Sequence, residues 1–402
     1  MSQLSFNGKS VAVVYQGCYP DPAGRTAGLR RARDFAQGIA ESNVVTWLLT
    51  PAHFEYGAAC ADDRFETVHL GMNQPRPTAK SRLAFWRGIR SFSDEKNISA
   101  ILFYNTTLDC YTTLRHLRQS GKLVALEVCD LFSTMNWKPW KKAIYKLAEI
   151  YLPRQTNLNI AISSGIQGWL QKTAPKTPSM IIPGLFDSRD FLKDNIAGNA
   201  MRDKYRVSAD QCLFVYAGSW YRIKGIETLM RAFASLKASH SNCRLLVTGK
   251  PSNHRFDVDI PALVSELGLQ DSVILTGFLD NQGMASVLSG ADVVVCPHDK
   301  HRFADFAFPT KIAEYAGMGC AIITTDVGDV NRYLKNGVDA IVCPPQNVDA
   351  MATCMKMLCS SPELRKSLGM NSKITAERYF DYRKNGVILS EALCSNQSRV
   401  GV

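Results

Sequence analysis

Short apolar runs alternate with helical stretches along the chain and predict its secondary structure. In the first half these runs have the length of buried strands and show no polar alternation, which is typical of a parallel sheet with helices on both faces. A helix is predicted from about Ala27 to Ala40. We predict strands at Val11–Tyr15, Val44–Leu49, Ala100–Tyr104, Leu123–Val128, Asn159–Ile162 and Ser179–Ile182.

The same rhythm restarts after a polar and irregular stretch, and we interpret residues 186–210 as a linker. A helix is predicted over Gly225–Ala238, with an apolar stripe at the helical period. Residues 360–395 are predicted to be helical as well. The predicted strands of this half are Leu213–Ala217, Arg244–Thr248, Val273–Thr276, Asp292–Cys296, Ala321–Thr325 and Ala340–Cys343.

The order of these elements predicts the fold class α/β, with two doubly wound Rossmann-like domains facing across a cleft. A chain of 402 residues is too long for one core and suits two such domains. We place the first domain at residues 1–185 and the second at 211–375, and we expect residues 376–402 to form a C-terminal helix that packs back on the first domain. Ligands of doubly wound sheets bind at the carboxyl ends of the strands.

Charge and cysteine content narrow the class of protein. The net charge of +11 favours a polyanionic neighbour, such as nucleic acid, an acidic membrane face or a phosphorylated substrate, although solubility alone explains it equally well. The twelve cysteines include no CxxC pair and no metal-ligand spacing, so we interpret those in apolar runs as core residues of a reduced compartment. They are Cys212, Cys243, Cys296, Cys320 and Cys343. We expect a cytoplasmic protein, with docking on the inner face of a membrane left open.

Residues 309–325 are the most informative stretch of the chain, because they combine a helix start, a glycine break and a buried strand. We expect the helix to begin at Pro309 or Thr310, and a helix start suits a phosphate. Lys311 and Glu314 share one face of this helix, where a carboxylate can accept hydrogen bonds from sugar hydroxyls. The stretch favours a sugar nucleotide; the alternative is that both side chains merely face solvent.

A second candidate site follows the first strand of the second half. The strand ends at Gly218, a loop carries Arg222 and Lys224, and a helix starts near Gly225. Two cations beside a helix start would neutralise a diphosphate, and the alternative is a solvated surface loop. The loop is neither a P-loop nor a GxGxxG dinucleotide fingerprint, which argues against a nicotinamide dehydrogenase.

These motifs resemble those of the retaining glycosyltransferases of the GT-B fold, family 4 (glycosyl transferases group 1). The resemblance rests on the Gly218–Gly225 loop, the run from Gly277 to Pro297 and the segment Pro309–Tyr315. It implies that Arg222 and Lys224 contact the donor diphosphate and that Glu314 binds the ribose, with Gly218 lining the same site. It also places three main-chain amides near the sugar or phosphate, those of Thr310, Lys311 and Ile312.

The first half carries the resemblance too. Residues 27–36 look like the family's first helix, whose start approaches the donor phosphates, and this implies donor-binding roles for Gly28 and Arg31. Residues 126–131 resemble the strand end that lines the cleft floor, so Asp130 is the candidate for acceptor contact.

Two departures from the family pattern stand out. A glutamate that often contacts the transferred sugar is replaced by Phe306, with Asp305 beside it, and the cleft-floor His-Asp pair of many members is Cys129-Asp130 here. The segment His298–Arg302 follows the strand ending at Pro297, and it is either a substrate-contacting loop or a solvated one.

Two further patterns allow alternative interpretations. Asp257-Val258-Asp259 is formally a DxD motif, but so short a pattern occurs by chance, and we expect no metal ion. Residues 136–147 mix tryptophans with lysines ahead of an amphipathic helix, which suits an anionic membrane surface or, equally, a surface helix with snorkelling lysines. Nothing resembles a nucleic-acid recognition module, so we expect no nucleic-acid partner.

The function predicted from the sequence is transfer of a sugar from a nucleotide-diphospho-sugar to a hydroxyl of a saccharide or lipid-linked saccharide. The resemblance implies retention of anomeric configuration without a metal cofactor, and it suggests a role in bacterial surface polysaccharide synthesis. Arg222, Lys224 and Asp130 are the predicted catalytic residues. The alternatives are a sugar-nucleotide epimerase of the same two-domain fold and a non-catalytic nucleotide-sugar-binding partner.

Overall fold

The apolar runs of the first half form one parallel sheet. The computed structural model describes residues 8–17, 27–51, 64–71, 78–105, 107–134, 137–189, 191–251, 257–301 and 304–395. The strands are β1 (Ser10–Tyr15), β2 (Val45–Thr50), β3 (Glu66–His69), β4 (Ala100–Tyr104), β5 (Leu123–Val128), β6 (Leu158–Ala161) and β7 (Ser179–Ile181). Their order is β3-β2-β1-β4-β5-β6-β7, and neighbours run parallel throughout.

Parallel strands need crossover connections, and helices supply them here. The helices of this stretch are α1 (Ala27–Glu41), α2 (Ala79–Glu95), α3 (Tyr111–Gln119), α4 (Pro139–Tyr151) and α5 (Ser164–Thr173). Side-chain caps fix two of their starts: the Thr78 hydroxyl accepts from the Ser81 N–H, and the Ser163 hydroxyl accepts from the Ile166 N–H. The core under α1 includes Phe35 and Ile39, which are almost completely buried.

The described residues of the second half repeat the plan with six strands. They are β8 (Cys212–Ala217), β9 (Cys243–Thr248), β10 (Val273–Gly277), β11 (Val293–Cys296), β12 (Ala321–Thr325) and β13 (Ile341–Cys343). Their order is β10-β9-β8-β11-β12-β13, again with parallel neighbours. The strand order reverses between β8 and β11, and this switch point is where doubly wound sheets bind ligands.

The helices of the second sheet follow the predicted apolar stripes. They are α6 (Asn195–Lys204), α7 (Ile226–Ser239), α8 (Ile260–Glu266), α9 (Asn281–Gly290), α10 (Lys311–Gly317), α11 (Val330–Tyr333), α12 (Val348–Ser360) and α13 (Pro362–Tyr379). Leu229, Phe233 and Leu236 of α7 are buried in the core, so the stripe predicted for this helix is confirmed.

The chain folds into two units, each with its own hydrophobic core. The first comprises residues 1–185 and 381–402, and the second comprises residues 186–380. The last helix, α14 (Tyr382–Cys394), belongs to the first unit and packs along α1. The predicted helical stretch 360–395 is therefore two helices, because α13 ends at Tyr379 and the Asp381 carboxylate caps a new start by accepting from the Arg383 and Lys384 N–H groups.

The interpretation of residues 186–210 as a linker is corrected by the structure. These residues belong to the second unit and contain α6, whose Asp194 cap accepts from the Ile196 and Ala197 N–H groups. The helix packs against α9, and Gly198 lies so close to Gly290 that a Cβ at either position would crowd the other's main chain. The polar composition of residues 186–210 indicated a linker because α6 buries only one narrow side, and the rest of the helix is polar.

Strand β3 was not predicted. Its sequence Glu-Thr-Val-His is short and mostly polar, and among the described strands it pairs with β2 alone, at the edge of the sheet. Edge strands bury one side at most, so hydrophobic runs do not reveal them.

The cysteines predicted to be core residues are buried free thiols in strands β8, β9, β11 and β13 and just before β12. Within the described part of the chain, no helix combines the length and apolar character needed to cross a membrane.

A tight helix crossing in the first unit gives a stability prediction. A Cβ on Gly386 of α14 would overlap the main chain of Gly38 of α1, so Gly386→Ala should destabilise the first unit by about 1–3 kcal/mol. Calorimetric melting of the purified chain measures this loss.

Gly168→Ala is the matched control. Gly168 lies inside α5 with no heavy atom within 4 Å of a new Cβ, so this change should stabilise by about 0.5–1 kcal/mol. An unchanged melting temperature for Gly386→Ala would contradict the close crossing.

Candidate functional site

The loop after β8 starts the candidate site of the second unit. β8 is buried along its whole length and ends at Ala217, and Gly218 begins the loop. The Tyr216 hydroxyl donates to the Ser219 carbonyl at 2.8 Å, so the loop folds back over the tyrosine ring. A Cβ at Gly218 would come within 2.9 Å of that hydroxyl, which favours glycine at this predicted site position.

The two predicted cations lie on one 3-10 turn, Arg222–Lys224. The Lys224 N–H donates to the Tyr221 carbonyl at 2.8 Å, and the Gly225 N–H donates to the Arg222 carbonyl at 2.9 Å. Gly225 has a left-handed φ of +72°, and a Cβ there would overlap the Pro297 carbonyl. Glycine therefore lets this turn lie directly against the end of β11.

The Lys224 side chain reaches the loop that follows β11. Its Nζ lies 3.2 Å from His298 Nε2, and His298 Nδ1 lies 3.3 Å from Cys296 Sγ. An ammonium group only donates, so Nε2 must accept and the imidazole proton sits on Nδ1, directed at the sulfur. The Thr325 hydroxyl donates to the His298 carbonyl at 2.6 Å and holds the loop on β12.

Burial and nearby charges keep the His298 imidazole and the Cys296 thiol, which continue the contact from Lys224, in one protonation state. Desolvation, followed by the charges of Lys224, His301 and Lys311, lowers the pKa of His298 well below its usual value. Burial raises the pKa of the Cys296 thiol to about 12, against the opposing effect of Lys224 and Lys311. The imidazole and the thiol are thus neutral at physiological pH, and the positive charge belongs to Lys224.

Arg222 is the exposed cation of the pair, with 61% of its side chain accessible. Its Nη1 lies 3.2 Å from Glu227 Oε2, an exposed ion pair that a competing phosphate can replace at little cost. Beside it, desolvation and the Glu227 charge raise the pKa of Asp299 to about 6, although Arg222 opposes this. Among the described residues, the buried Asp299 Oδ1 has no hydrogen-bond partner.

Helix α10 adds the predicted ribose-binding face to this site. Its Tyr315 hydroxyl donates to the Ala217 carbonyl at 3.3 Å, which fixes the helix at the end of β8. Lys311 is close enough to lower the pKa of His298, and Glu314 is half-buried on the same helix. The Ile312 N–H donates to the Pro309 carbonyl at 2.9 Å, so this amide is already engaged, while Thr310 precedes the first helical residue.

The structure gives Arg31 a different environment from the one expected for a donor-binding residue. Arg31 is 5% exposed, and its Nε donates to Glu127 Oε1 at 2.5 Å. Its two terminal nitrogens donate to the Pro183 and Ile182 carbonyls at 2.5 and 2.7 Å. The guanidinium therefore ties α1 to β5 and to the chain after β7, and we correct its assignment from donor binding to structural support.

The other two residues predicted in the first unit lie near the carboxyl ends of β4 and β5, which are neighbours in the sheet. Gly28 is in the first turn of α1, where a Cβ would come within 3.0 Å of the Tyr104 hydroxyl at the end of β4. Asp130 follows β5 and is exposed, and its charge helps to raise the pKa of Tyr104 and of the Cys129 thiol, after burial as the main cause. Asp130 is thus placed where a ligand of this sheet edge could be contacted.

The DxD pattern and Phe306 lie in ordinary secondary structure. Asp259 of the DxD pattern caps α8, because its Oδ1 accepts from the Ala262 N–H, and Asp257 lies in a short antiparallel bridge with Tyr221. The described part of the chain contains no group of three or more His, Cys, Asp or Glu side chains suited to a metal ion. Phe306 lies in a 3-10 turn with the exposed Asp305.

Sequence reasoning missed one buried polar group, Glu127, and one half-buried one, His298. Glu127 is completely buried in β5 between Leu126 and Val128, and a lone charge within an apolar strand was the available signal. His298 was noticed only as part of a polar loop. Its bond to Lys224 joins positions 74 residues apart, and no local pattern reveals such a contact.

Comparison with known proteins gives matches to glycosyltransferases. Residues 211–361 match the family model "Glycosyl transferases group 1". The chain is 28% identical over 172 residues to the alpha-D-kanosaminyltransferase of Streptomyces kanamyceticus, covering 43% of this chain and 42% of that one. It is 22% identical over 209 residues to the D-inositol 3-phosphate glycosyltransferase of Corynebacterium kroppenstedtii, covering 51% and 45%. These matches span less than half of each relative.

Solved structures match over almost the whole chain. A sucrose-phosphate synthase from Thermosynechococcus elongatus superposes with a TM-score of 0.75 at 17% identity, covering 96% of this chain and 98% of that one. Anabaena HepE, solved in complex with UDP-glucose, gives a TM-score of 0.75 at 16% identity and covers 96% and 100%. At such identities the likeness concerns the fold.

The hydrogen bond between Lys224 Nζ and His298 Nε2 predicts a defined tautomer of the imidazole. In protein labelled with ¹⁵N-histidine, His298 should carry its proton on Nδ1 and stay neutral at about pH 6, because its pKa is lowered. Lys224→Met should raise the pKa of His298, since one of the charges that lowers it is removed. Two-bond proton–nitrogen spectra measure both properties, with Lys366→Met on α13 as the control. A protonated imidazole in the native protein at neutral pH would contradict the arrangement.

The raised pKa of Asp299 predicts a pH-dependent gain in stability. The native carboxyl binds a proton more tightly than the unfolded one, so its ionisation above about pH 6 costs folding free energy that Asp299→Asn avoids. The variant should melt at a higher temperature than the wild type at pH values above 6, and the difference should shrink as the pH falls through 6. Melting curves across this range measure the effect, and a constant difference would show that ionisation is not its cause.

Proposed function

We propose that this group 1 glycosyltransferase of the GT-B fold transfers a sugar from a nucleotide-diphospho-sugar to an acceptor hydroxyl with retention of anomeric configuration. The family and the fold predicted from the sequence are confirmed by the match at residues 211–361 and by the solved structures that cover 96% of the chain. The transfer itself, its stereochemistry and its substrates are proposals for this chain.

The observation that carries the proposal is the position of Lys224. Its ammonium group lies at the switch point of the second sheet, 3.2 Å from a neutral imidazole, with the exposed Arg222 on the same turn. A partly buried cation held by fixed neighbours stabilises charge that develops on a leaving diphosphate, because little reorganisation is needed during the reaction. Arg222 adds a planar fork suited to phosphate oxygens.

The donor would be oriented by α10. Glu314 would accept hydrogen bonds from the ribose hydroxyls, and the main chain around Thr310 and Lys311 would lie near the sugar or phosphate. Anabaena HepE was solved with UDP and with UDP-glucose, and this supports a uridine diphosphate sugar as the first donor to test.

In the proposed reaction, the bond from the sugar C1 to the phosphate oxygen breaks, and its electron pair stays on the diphosphate. The acceptor oxygen forms the new bond to C1 on the same face. The acceptor proton passes to the leaving phosphate oxygen, so no protein base is required. Asp130 of the first unit would contact the acceptor, a saccharide or a lipid-linked saccharide of bacterial surface polysaccharide synthesis. Using the lipid-linked form would place the enzyme on the inner face of the membrane.

Donor binding and transfer can be tested with one variant. Lys224→Ala should lower kcat by about 10²–10³-fold, the usual loss when one preorganised donor to a developing oxyanion is removed. Melting-temperature shifts with UDP-, GDP-, ADP- and CDP-sugars identify the donor first, because a ligand of the native state raises its stability. Transfer to an acceptor panel is then measured with that donor.

Lys366→Ala is the matched control, since Lys366 is exposed on α13. Full activity of Lys224→Ala would remove the assignment. Isomerisation of the donor sugar without acceptor would identify an epimerase, and donor binding without turnover across the panel would identify a binding partner. The anomeric configuration of the product, read by NMR, decides retention.

A further inference from the structure

Three cysteines lie together in the second unit, at the sheet edge opposite the candidate donor site. Cys212 is the first residue of β8 and Cys243 is the first residue of β9, and the two are register partners in the parallel sheet. Cys359 lies in the last turn of α12 and packs against the core that contains both. Its thiol is within hydrogen-bonding reach of the thiols of Cys212 and of Cys243. We call these three residues the thiol cluster.

Access to solvent differs among the members of the thiol cluster. Cys212 is 5% exposed and Cys243 is completely buried, whereas Cys359 is half-buried at the end of its helix. Burial, followed by the charge of Asp292, raises the pKa of the Cys212 thiol. Burial also raises the pKa of the Cys243 thiol, to about 11. The two buried thiols are therefore protonated and poorly reactive by themselves, so a small reagent meets the cluster at Cys359.

Positively charged side chains flank the thiol cluster. Arg365 Nη1 donates to the Cys359 carbonyl at 3.2 Å, and its charge opposes the raised pKa of Cys212. Lys237 Nζ donates to the Cys243 carbonyl at 3.3 Å, and its charge opposes the raised pKa of Cys243. Nearby cations favour the thiolate, which is the nucleophilic form of cysteine. The cluster thus combines one accessible thiol, two buried thiols and positive charge beside them.

We propose that Cys359 is a site of reversible oxidation by peroxides and that Cys212 captures the oxidised sulfur as a disulfide. In the first step, the Cys359 sulfur attacks one oxygen of hydrogen peroxide, the O–O bond breaks, and a sulfenic acid and water form. In the second step, the Cys212 sulfur attacks the Cys359 sulfur and the S–O bond breaks. The leaving hydroxide takes the Cys212 proton and departs as water. Both sulfurs are oxidised, the peroxide is reduced to water, and a dithiol reverses the change by exchange.

Hydrogen bonding favours Cys212 over Cys243 as the partner of Cys359. The Cys243 thiol donates to the His240 carbonyl at 3.1 Å. A disulfide to Cys243 would sacrifice this bond, and a disulfide to Cys212 leaves it intact. The bridge to Cys212 would tie the end of α12 to the start of β8. This inference goes beyond the glycosyl-transfer proposal, and it is tested without donor or acceptor.

A second pair of thiols in the same unit shows which property decides the reaction. The thiols of Cys343 on β13 and Cys354 on α12 are within hydrogen-bonding reach of each other. Both residues are buried, at 2% and 9% exposure. Proximity alone would oxidise this pair as readily as the thiol cluster, but peroxide must first reach one sulfur. We therefore expect Cys343 and Cys354 to stay reduced in the native protein.

The test maps disulfides in the native chain after peroxide treatment. Cys18 and Cys60 lie outside the described residues, so the full chain carries Cys18→Ser and Cys60→Ser. It is reduced, treated with hydrogen peroxide and alkylated with N-ethylmaleimide before digestion. Mass spectrometry should show the peptides of Cys212 and Cys359 joined by a disulfide, with the loss of both free thiols. Dithiothreitol should restore them.

Variants separate the roles of the two sulfurs. Cys359→Ser should abolish the disulfide and leave Cys212 reduced, because the accessible thiol is gone. Cys212→Ala should leave a sulfenic acid on Cys359 that dimedone traps. Cys394→Ala, at a buried cysteine of α14, is the matched control and should keep the wild-type disulfide. Circular dichroism before oxidation checks that each variant is folded.

Three results would overturn the proposal. One is survival of the Cys359 thiol at peroxide concentrations that oxidise free cysteine. Another is sulfinic acid at Cys359 of the otherwise unmutated cluster with no disulfide formed. The third is a disulfide that joins Cys359 to Cys243 or to a second copy of the chain.

Discussion

The close approach of Gly225 to the Pro297 carbonyl is the contact on which the candidate donor site depends. The sheet order makes β8 and β11 neighbours, but a neighbouring strand alone does not bring a side chain into place. Because residue 225 has no Cβ, the Arg222–Lys224 turn packs directly against the end of β11. A hydrogen bond from the Asp299 N–H to the Ile223 carbonyl, 3.0 Å long, holds the turn there. The 3.2 Å distance between Lys224 Nζ and His298 Nε2 follows from this packing.

The sequence predicted the architecture well because the strands are buried on both faces. Continuous apolar runs such as those of β8, β11 and β12 have few other interpretations. The same reasoning failed where burial is partial. The polar edge strand β3 and the one-sided helix α6 carry too few apolar residues for periodicity to detect them.

The sequence predicted which residues of the second unit lie together in the candidate site, but it predicted the roles of the site residues only in part. Lys224 and Arg222 lie together on one turn, as their spacing suggested, whereas Arg31 is a structural residue despite its place in the first helix. Its two carbonyl partners lie 151 and 152 residues further along the chain, beyond any local pattern. Removing one partner of a buried ion pair such as Arg31–Glu127 costs about 3–5 kcal/mol. Arg31 is therefore important for the stability of the fold.

The first unit is built from two stretches of chain separated by the entire second unit. The Phe186 N–H donates to the Phe380 carbonyl at 2.8 Å, so the second unit begins and ends at one point, like an insertion into the first. During synthesis on the ribosome, α1 is made before the second unit, and the face of α1 that α14 covers stays exposed until α14 has been made. The second unit, whose residues are contiguous, can reach its native packing while the first is still incomplete.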